Sequence, residues 1–136
     1  MTAIRICTIV LLVYVGVVVV FESLLGFFQP AGEGTMVITT TDVGGSSYDR
    51  VVARLETNGQ LYVARNHWPR AWYDRAVENR ELHATIDGER GDYLVVPVSG
   101  VEYEHVNAEH GLGFVFRLLT GFPTRHILRL DPRESP

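Results

Sequence analysis

Lysine is missing altogether from this 136-residue chain; all twelve basic side chains are arginines. That absence excludes a P-loop lysine, a Schiff-base lysine and a lysine general base. Cysteine is nearly missing too. Cys7 stands alone within an apolar run, so neither an intrachain disulfide nor a thiolate metal cluster is available. There is no excess of positive charge, the formal charge being −4 and the pI about 5.7, whereas a nucleic-acid binder ordinarily presents a basic face. Ser46, Ser47 and Ser99 have no neighbouring His–Asp signature, and no G-x-S-x-G occurs, so nucleophilic hydrolysis has no support. His105 and His110 are off the i, i+4 spacing of a helical metal pair, and His83 reads as a structural histidine in a strand. No metal site is assigned, and no internal repeat or low-complexity tract is present.

What is abundant is apolar sequence at the N-terminus. "ICTIVLLVYVGVVVVF" carries no charge and is followed, after "ES", by "LLGFF". About 20 mainly apolar residues cross a bilayer, and residues 4–28 supply them if Glu22 sits near the interface. A cleaved signal peptide is the alternative, but no A-x-A-like site precedes "QPAGEG", and the apolar stretch outlasts a usual signal core. The expected layout is a transmembrane anchor over 1–28, a short linker over 29–34 and one domain over 35–136, in a single-pass membrane protein. Arg5 and the amino terminus flank one end of the run, and the next arginine is Arg50. Charge bias therefore favours an inside N-terminus, while the side the domain faces stays open.

Beyond the linker, "TMVITTT" is rich in β-branched residues and reads as a strand. After the turn "DVGGSS", residues 48–57 alternate, with Tyr48, Arg50, Val52, Arg54 and Glu56 on one face and Val51, Ala53 and Leu55 on the other. "NG" at 58–59 signals a hairpin into "QLYVAR". Pro69 suits the first turn of a helix running to Asn79. "ELHATI" and "ERGDYLVVPVS", joined by "DG", form a second hairpin; residues 101–110 and 112–121 read as helices, and "RHILRLDP" as a closing strand. This order predicts an α+β architecture, a small antiparallel barrel of about six strands with a covering helix.

The junction "LYVARNHWPRAWYDRAVENRE" concentrates unusual chemistry. A helix N-terminus attracts anions, and this one is preceded by Arg65, Asn66 and His67 and carries Arg70. Arg50 and Arg54 on the neighbouring strand are further candidates, because guanidinium forks match phosphate or carboxylate. Trp68, Trp72 and Tyr73 offer faces to a planar ring. The plainer readings are that Trp72 and Tyr73 are core residues, that the strand arginines snorkel, and that Arg75 and Arg80 are solvated.

These residues also carry a resemblance. The "TTT" strand, the polar strand, "YVARN" and the "PRAWY" helix start ending in Asn79 resemble the deazaflavin-dependent nitroreductase and quinone reductase family, over roughly residues 34–98 plus the closing strand. The resemblance implies a split β-barrel that binds the deazaflavin coenzyme F-420 or FMN and passes hydride to a quinone-like or nitroaromatic acceptor. Ala64, Arg65 and Asn66 then fall at the cofactor-contacting strand end, and Pro69, Trp72 and Tyr73 at the helix start. The first turn differs from the family's in having no basic residue before Arg50, and His67 and Trp68 replace its glycine pair. With no nucleophile in view, the protein's part is orientation and electrostatics, with His67 and Tyr73 the nearest proton donors. A lipophilic acceptor suits a chain held in the lipid bilayer. A non-catalytic module that binds a cofactor, haem or lipid is the other expectation, and a homodimer is compatible with either.

Overall fold

The computed structural model describes residues 1–28, 32–66 and 68–134. Helix α1 (Thr2–Phe27) precedes strands β1 (Thr35–Thr41), β2 (Ser47–Ala53), β3 (Leu55–Thr57) and β4 (Gln60–Arg65). Helix α2 (Ala71–Asn79), strands β5 (Glu81–Ile86) and β6 (Glu89–Pro97), helices α3 (Gly100–Glu109) and α4 (Phe114–Thr120), and strand β7 (His126–Pro132) complete the order. The seven strands form one antiparallel sheet, ordered β2-β1-β5-β6-β7-β4-β3.

The two edge strands of that sheet, β2 and β3, are consecutive in the chain and separated only by Arg54. A flat sheet would hold them at opposite ends, so this connection forces the sheet to curl until its edges meet. The single strand expected over 48–57 is therefore two. Up to Ala53 the chain pairs with β1; the Arg54 amide then donates to Gly34 O at 2.9 Å, and from Leu55 the chain pairs with β4. The break also undoes the simple alternation: Leu55 and Thr57 are buried, while Arg54 leaves the row that Arg50 occupies.

Local chemistry explains the remaining turns. Asn58 (φ 53°) and Gly59 (φ 75°) both take positive φ, as a two-residue hairpin whose twist matches its strands requires. Asp87 and Gly88 repeat the solution between β5 and β6. Inside the curl, Met36, Ile38, Val63, Leu82, Ala84, Val95, Leu128 and Leu130 pack against Trp72 and Ala76 of α2, which closes one end. Outside it, Tyr62, Ile127 and Leu55 pack under Val106 of α3. At Ile127 and Leu128 β7 is thus buried on both faces, whereas Leu128, Arg129, Leu130 and Asp131 beyond alternate between the core and the outer face.

Helix α1 is long and apolar enough to cross a membrane, with a mean hydropathy of 2.7 over its most apolar 18 residues. Its run of valines over 17–20 would favour a strand in water; in an apolar medium, a helix satisfies every backbone group internally. Its second half is not free. Tyr14 donates its hydroxyl to Leu118 O at 2.8 Å, and Phe21 meets the Phe116 ring edge-on at 6.1 Å.

Candidate functional site

Where the end of α1, strand β2, the end of β4 and helix α4 converge, they leave a recess of about 360 Å³. Leu25, Phe28, Val51, Val52, Phe116 and Trp72 make its walls apolar, while Arg50, Asn66 and Thr35 supply the polar groups. Ala64 lines it as well, and its small side chain leaves the space open. Of the predicted site residues, the structure thus brings Arg50, Ala64, Asn66 and Trp72 together. A small apolar slot with a few placed polar groups is the usual make-up of a small-molecule site. Its volume suits a ring system rather than a whole nucleotide.

Arg50 is half-buried, with Nη1 3.4 Å from Gly26 O. Burial, and then the nearby positive charge of Arg70, pull its pKa below the usual guanidinium value. Its environment therefore favours an incoming anion. Asn66 is anchored, because its Oδ1 accepts from Arg125 Nε at 2.7 Å. Arg125 also donates to Asn107 Oδ1 at 3.0 Å and His110 O at 2.7 Å, tying the end of β4 to α3. That clamp was not visible in the sequence, where Arg125 is the first residue of the expected closing strand "RHILRLDP".

The other predicted residues lie elsewhere, and the expected cluster of guanidiniums does not form. Arg54 pairs with Glu56 at 2.5 Å and Asp87 at 3.4 Å. Arg65 is one residue out of phase with Ala64 and Asn66, so alternation places it on the other face of β4, where its guanidinium covers the Tyr73 ring at 4.4 Å. Its Nε is buried without a hydrogen-bond partner among the described residues. Arg70 is committed to Glu22, through Oε2 at 2.8 Å and the backbone carbonyl at 3.1 Å. The helix-terminus anion site also changes character. α2 begins at Ala71, with Arg70 as its N-cap and exposed Pro69 outside it, and Asp74 already places a carboxylate in the first turn.

The aromatic residues divide in the same way. Trp72 is 6% exposed and belongs to the core, although it also lines the recess. Trp68 is half-exposed and donates its indole N–H to Thr120 O at 2.9 Å. Tyr73 lies beneath Arg65, with the Trp72 and His126 rings 5.8 and 5.5 Å away, and is not among the residues lining the recess. His67 lies outside the described residues. Arg75, expected to be solvated, instead donates to Thr40 Oγ1 at 3.0 Å and covers the Tyr48 ring at 4.3 Å. His126, paired in register with Arg65, is a neighbour that the sequence pattern did not single out. Burial, and then the Arg65 charge, lower its pKa.

A second recess of about 500 Å³ separates α1 from the 68–70 segment and Gly121. Val15, Val18 and Val19 line it beside Trp68, and the Glu22–Arg70 pair lies at one end. Glu22 is thus not at a free interface but 8% exposed, held against the domain, with the Trp68 backbone N–H as a further donor. Among the described residues there is no group of three His, Cys, Asp or Glu side chains able to hold a metal.

No protein-family model matches the chain, and no curated protein matches it in sequence. Solved structures do match. The heme storage protein HutZ of Vibrio cholerae superposes with a TM-score of 0.60 at 15% identity, over 85% of this chain and 87% of that one. An F420-H2 dependent reductase, FDR-A, superposes with a TM-score of 0.59 at 16% identity, over 76% of this chain and 99% of that one. A pyridoxamine 5'-phosphate oxidase-related, FMN-binding protein of Nostoc punctiforme gives 0.52 at 13% identity, over 73% and 70%. The fold is the FMN-binding split β-barrel. At these identities the likeness extends to architecture alone. One split barrel is named for heme storage and another as an F420-H2 dependent reductase, so the chemistry rests on each chain's own side chains.

Proposed function

We propose that this split-barrel protein is a membrane-anchored oxidoreductase that binds the deazaflavin coenzyme F-420 or FMN and serves a quinone-like or nitroaromatic acceptor. The observation that carries the reading is the recess that joins Arg50, Asn66, Ala64 and Trp72. Its residues fit the ring portion of such a cofactor: Phe116 and Trp72 supply apolar wall, Asn66 a fixed amide, and Arg50 a half-buried cation for an anionic group. A reduced cofactor of either kind supplies hydride by itself. The chain's part is to seat the ring, exclude water with Leu25 of α1 and Phe28 just beyond its end, and hold the acceptor close. Tyr73 takes no role as donor in this arrangement, since Arg65 covers it outside the recess. Helix α1 keeps the site beside the bilayer, where a lipophilic acceptor concentrates.

A specific observation favours a second reading, a non-catalytic module binding cofactor, haem or lipid. Arg54 and Arg70 are engaged by carboxylates, leaving Arg50 as the guanidinium that lines the recess. The deciding measurement is reoxidation of reduced deazaflavin, then of reduced FMN, by a quinone in the presence of the detergent-purified protein. Acceleration with either donor supports the enzyme. Binding in the absorbance spectrum without acceleration leaves the module.

A further inference from the structure

The contacts between α1 and α4 fix how deep the domain must sit. Besides the Tyr14 and Phe21 contacts, Gly121 lies so near Val18 that a Cβ there would approach Val18 Cγ1 to 3.2 Å. α4 therefore runs beside residues 14–21 of α1. Between the charged Arg5 and Tyr14 lie only residues 6–13 of α1, which rise about 12 Å at 1.5 Å each, short of the roughly 30 Å hydrocarbon layer. A crossing needs about 20 residues, so it continues past Tyr14 and takes α4 along.

α4 is built for that medium. Phe114, Val115, Leu118 and Phe122 are 68, 67, 39 and 45% exposed. The Phe114 and Phe122 rings lie 6.0 Å apart, so the patch is continuous, and through Leu119 it adjoins the apolar surface of α1 at Gly16, Val17 and Val20. Three of the last four carbonyls of α4 are also satisfied without water. Arg117 O accepts from the Phe122 amide and the Thr120 hydroxyl, Leu118 O from the Gly121 amide and Tyr14, and Thr120 O from the Trp68 indole. In lipid, the free carbonyls of a helix end have no other donor. Arg117 turns its guanidinium over Phe122 at 5.4 Å and lines the polar recess beside Asn107 and Thr124, as a snorkelling side chain does.

We infer that α4 and the Gly121–Phe122 turn lie inside the bilayer beside the second half of α1, so that the domain is sunk into the membrane face rather than tethered above it. The inference rests on the anchor reading. It opens the apolar recess between α1, Trp68 and Gly121 directly to lipid, so a lipophilic molecule reaches the Glu22–Arg70 pair without crossing water.

Spin labels test it in full-length protein in phospholipid nanodiscs, with Cys7→Ala as background because Cys7 is exposed. Val115→Cys reports on α4, Val13→Cys on α1, and Val43→Cys on the barrel, where the native valine is 85% exposed. Labels at 115 and 13 should both collide with oxygen severalfold more than with a water-soluble nickel chelate, and the label at 43 should do the reverse. A water-like label at 115 with a lipid-like label at 13 overturns the inference and leaves the anchor standing. Water-like behaviour at both positions removes the anchor as well. Shielding at 115 from both probes, with dipolar broadening between copies, would mean that a second chain covers the patch, and would also overturn it.

Discussion

Replacing Glu22 with Ala should loosen the seam between α1 and the barrel far more than a surface ion pair would. The carboxylate accepts from Arg70 Nη2 at 2.8 Å, and the two side chains are 10% and 24% exposed. Removing one partner of a buried pair costs about 3–5 kcal/mol, because the other charge stays desolvated. Arg70 keeps some water, so the lower end applies, about 3 kcal/mol, or roughly two orders of magnitude in a local opening equilibrium. Arg70→Ala should cost a similar amount, since it strands the carboxylate with the Trp68 N–H. The double variant should cost clearly less than the sum. Hydrogen exchange of the amides over residues 23–27 in nanodiscs reads this directly, with the β7 amides as an internal control. Less than about a threefold change in both single variants would place the pair among exposed ones worth at most about 1 kcal/mol, and the buried-seam reasoning would fail.

Arg50→Ala should weaken cofactor binding by about 1–3 kcal/mol in titration calorimetry, as loss of a charged hydrogen bond does, whereas Arg54→Ala, paired outside the recess, should leave it unchanged. Equal losses in both would refute the placement of the site. For His126 the folded pKa lies below its ordinary value, with burial the main cause. Above about pH 6.5 both folded and unfolded forms are neutral and it contributes nothing; as pH falls below that value, the unfolded chain takes up the proton first and stability drops. Urea midpoints at pH 7 and pH 5 should therefore differ more in the parent than in His126→Asn. Arg125→Ala removes the donors to Asn66, Asn107 and the His110 carbonyl and should cost about 2 kcal/mol, visible as a lowered thermal midpoint.

Much of the fold follows from local sequence rules. Asn58–Gly59 and Asp87–Gly88 are left-handed pairs that specify their hairpins, and the β-branched run over 35–41 became β1 with the boundaries its composition indicates. The apolar length of α1 was likewise a local property, as was the shared face of Trp72 and Ala76 that α2 buries. Such signals act within one turn or one strand, so a linear reading captures them. The site was another matter. Arg50 and Arg54 are equivalent by alternation, and only the move from β1 to β4 at Arg54 sends one to the recess and the other to Glu56 and Asp87. Trp68 and Trp72 share one motif, yet packing buries Trp72 in the core and leaves Trp68 against α4. Arg70 waited on Glu22, 48 residues earlier, and Asn66 on Arg125, 59 residues later. Each of these partnerships depends on which distant element arrives at the same place. That is decided by the curl of the sheet and the docking of α1, where burial makes a charge choose a partner.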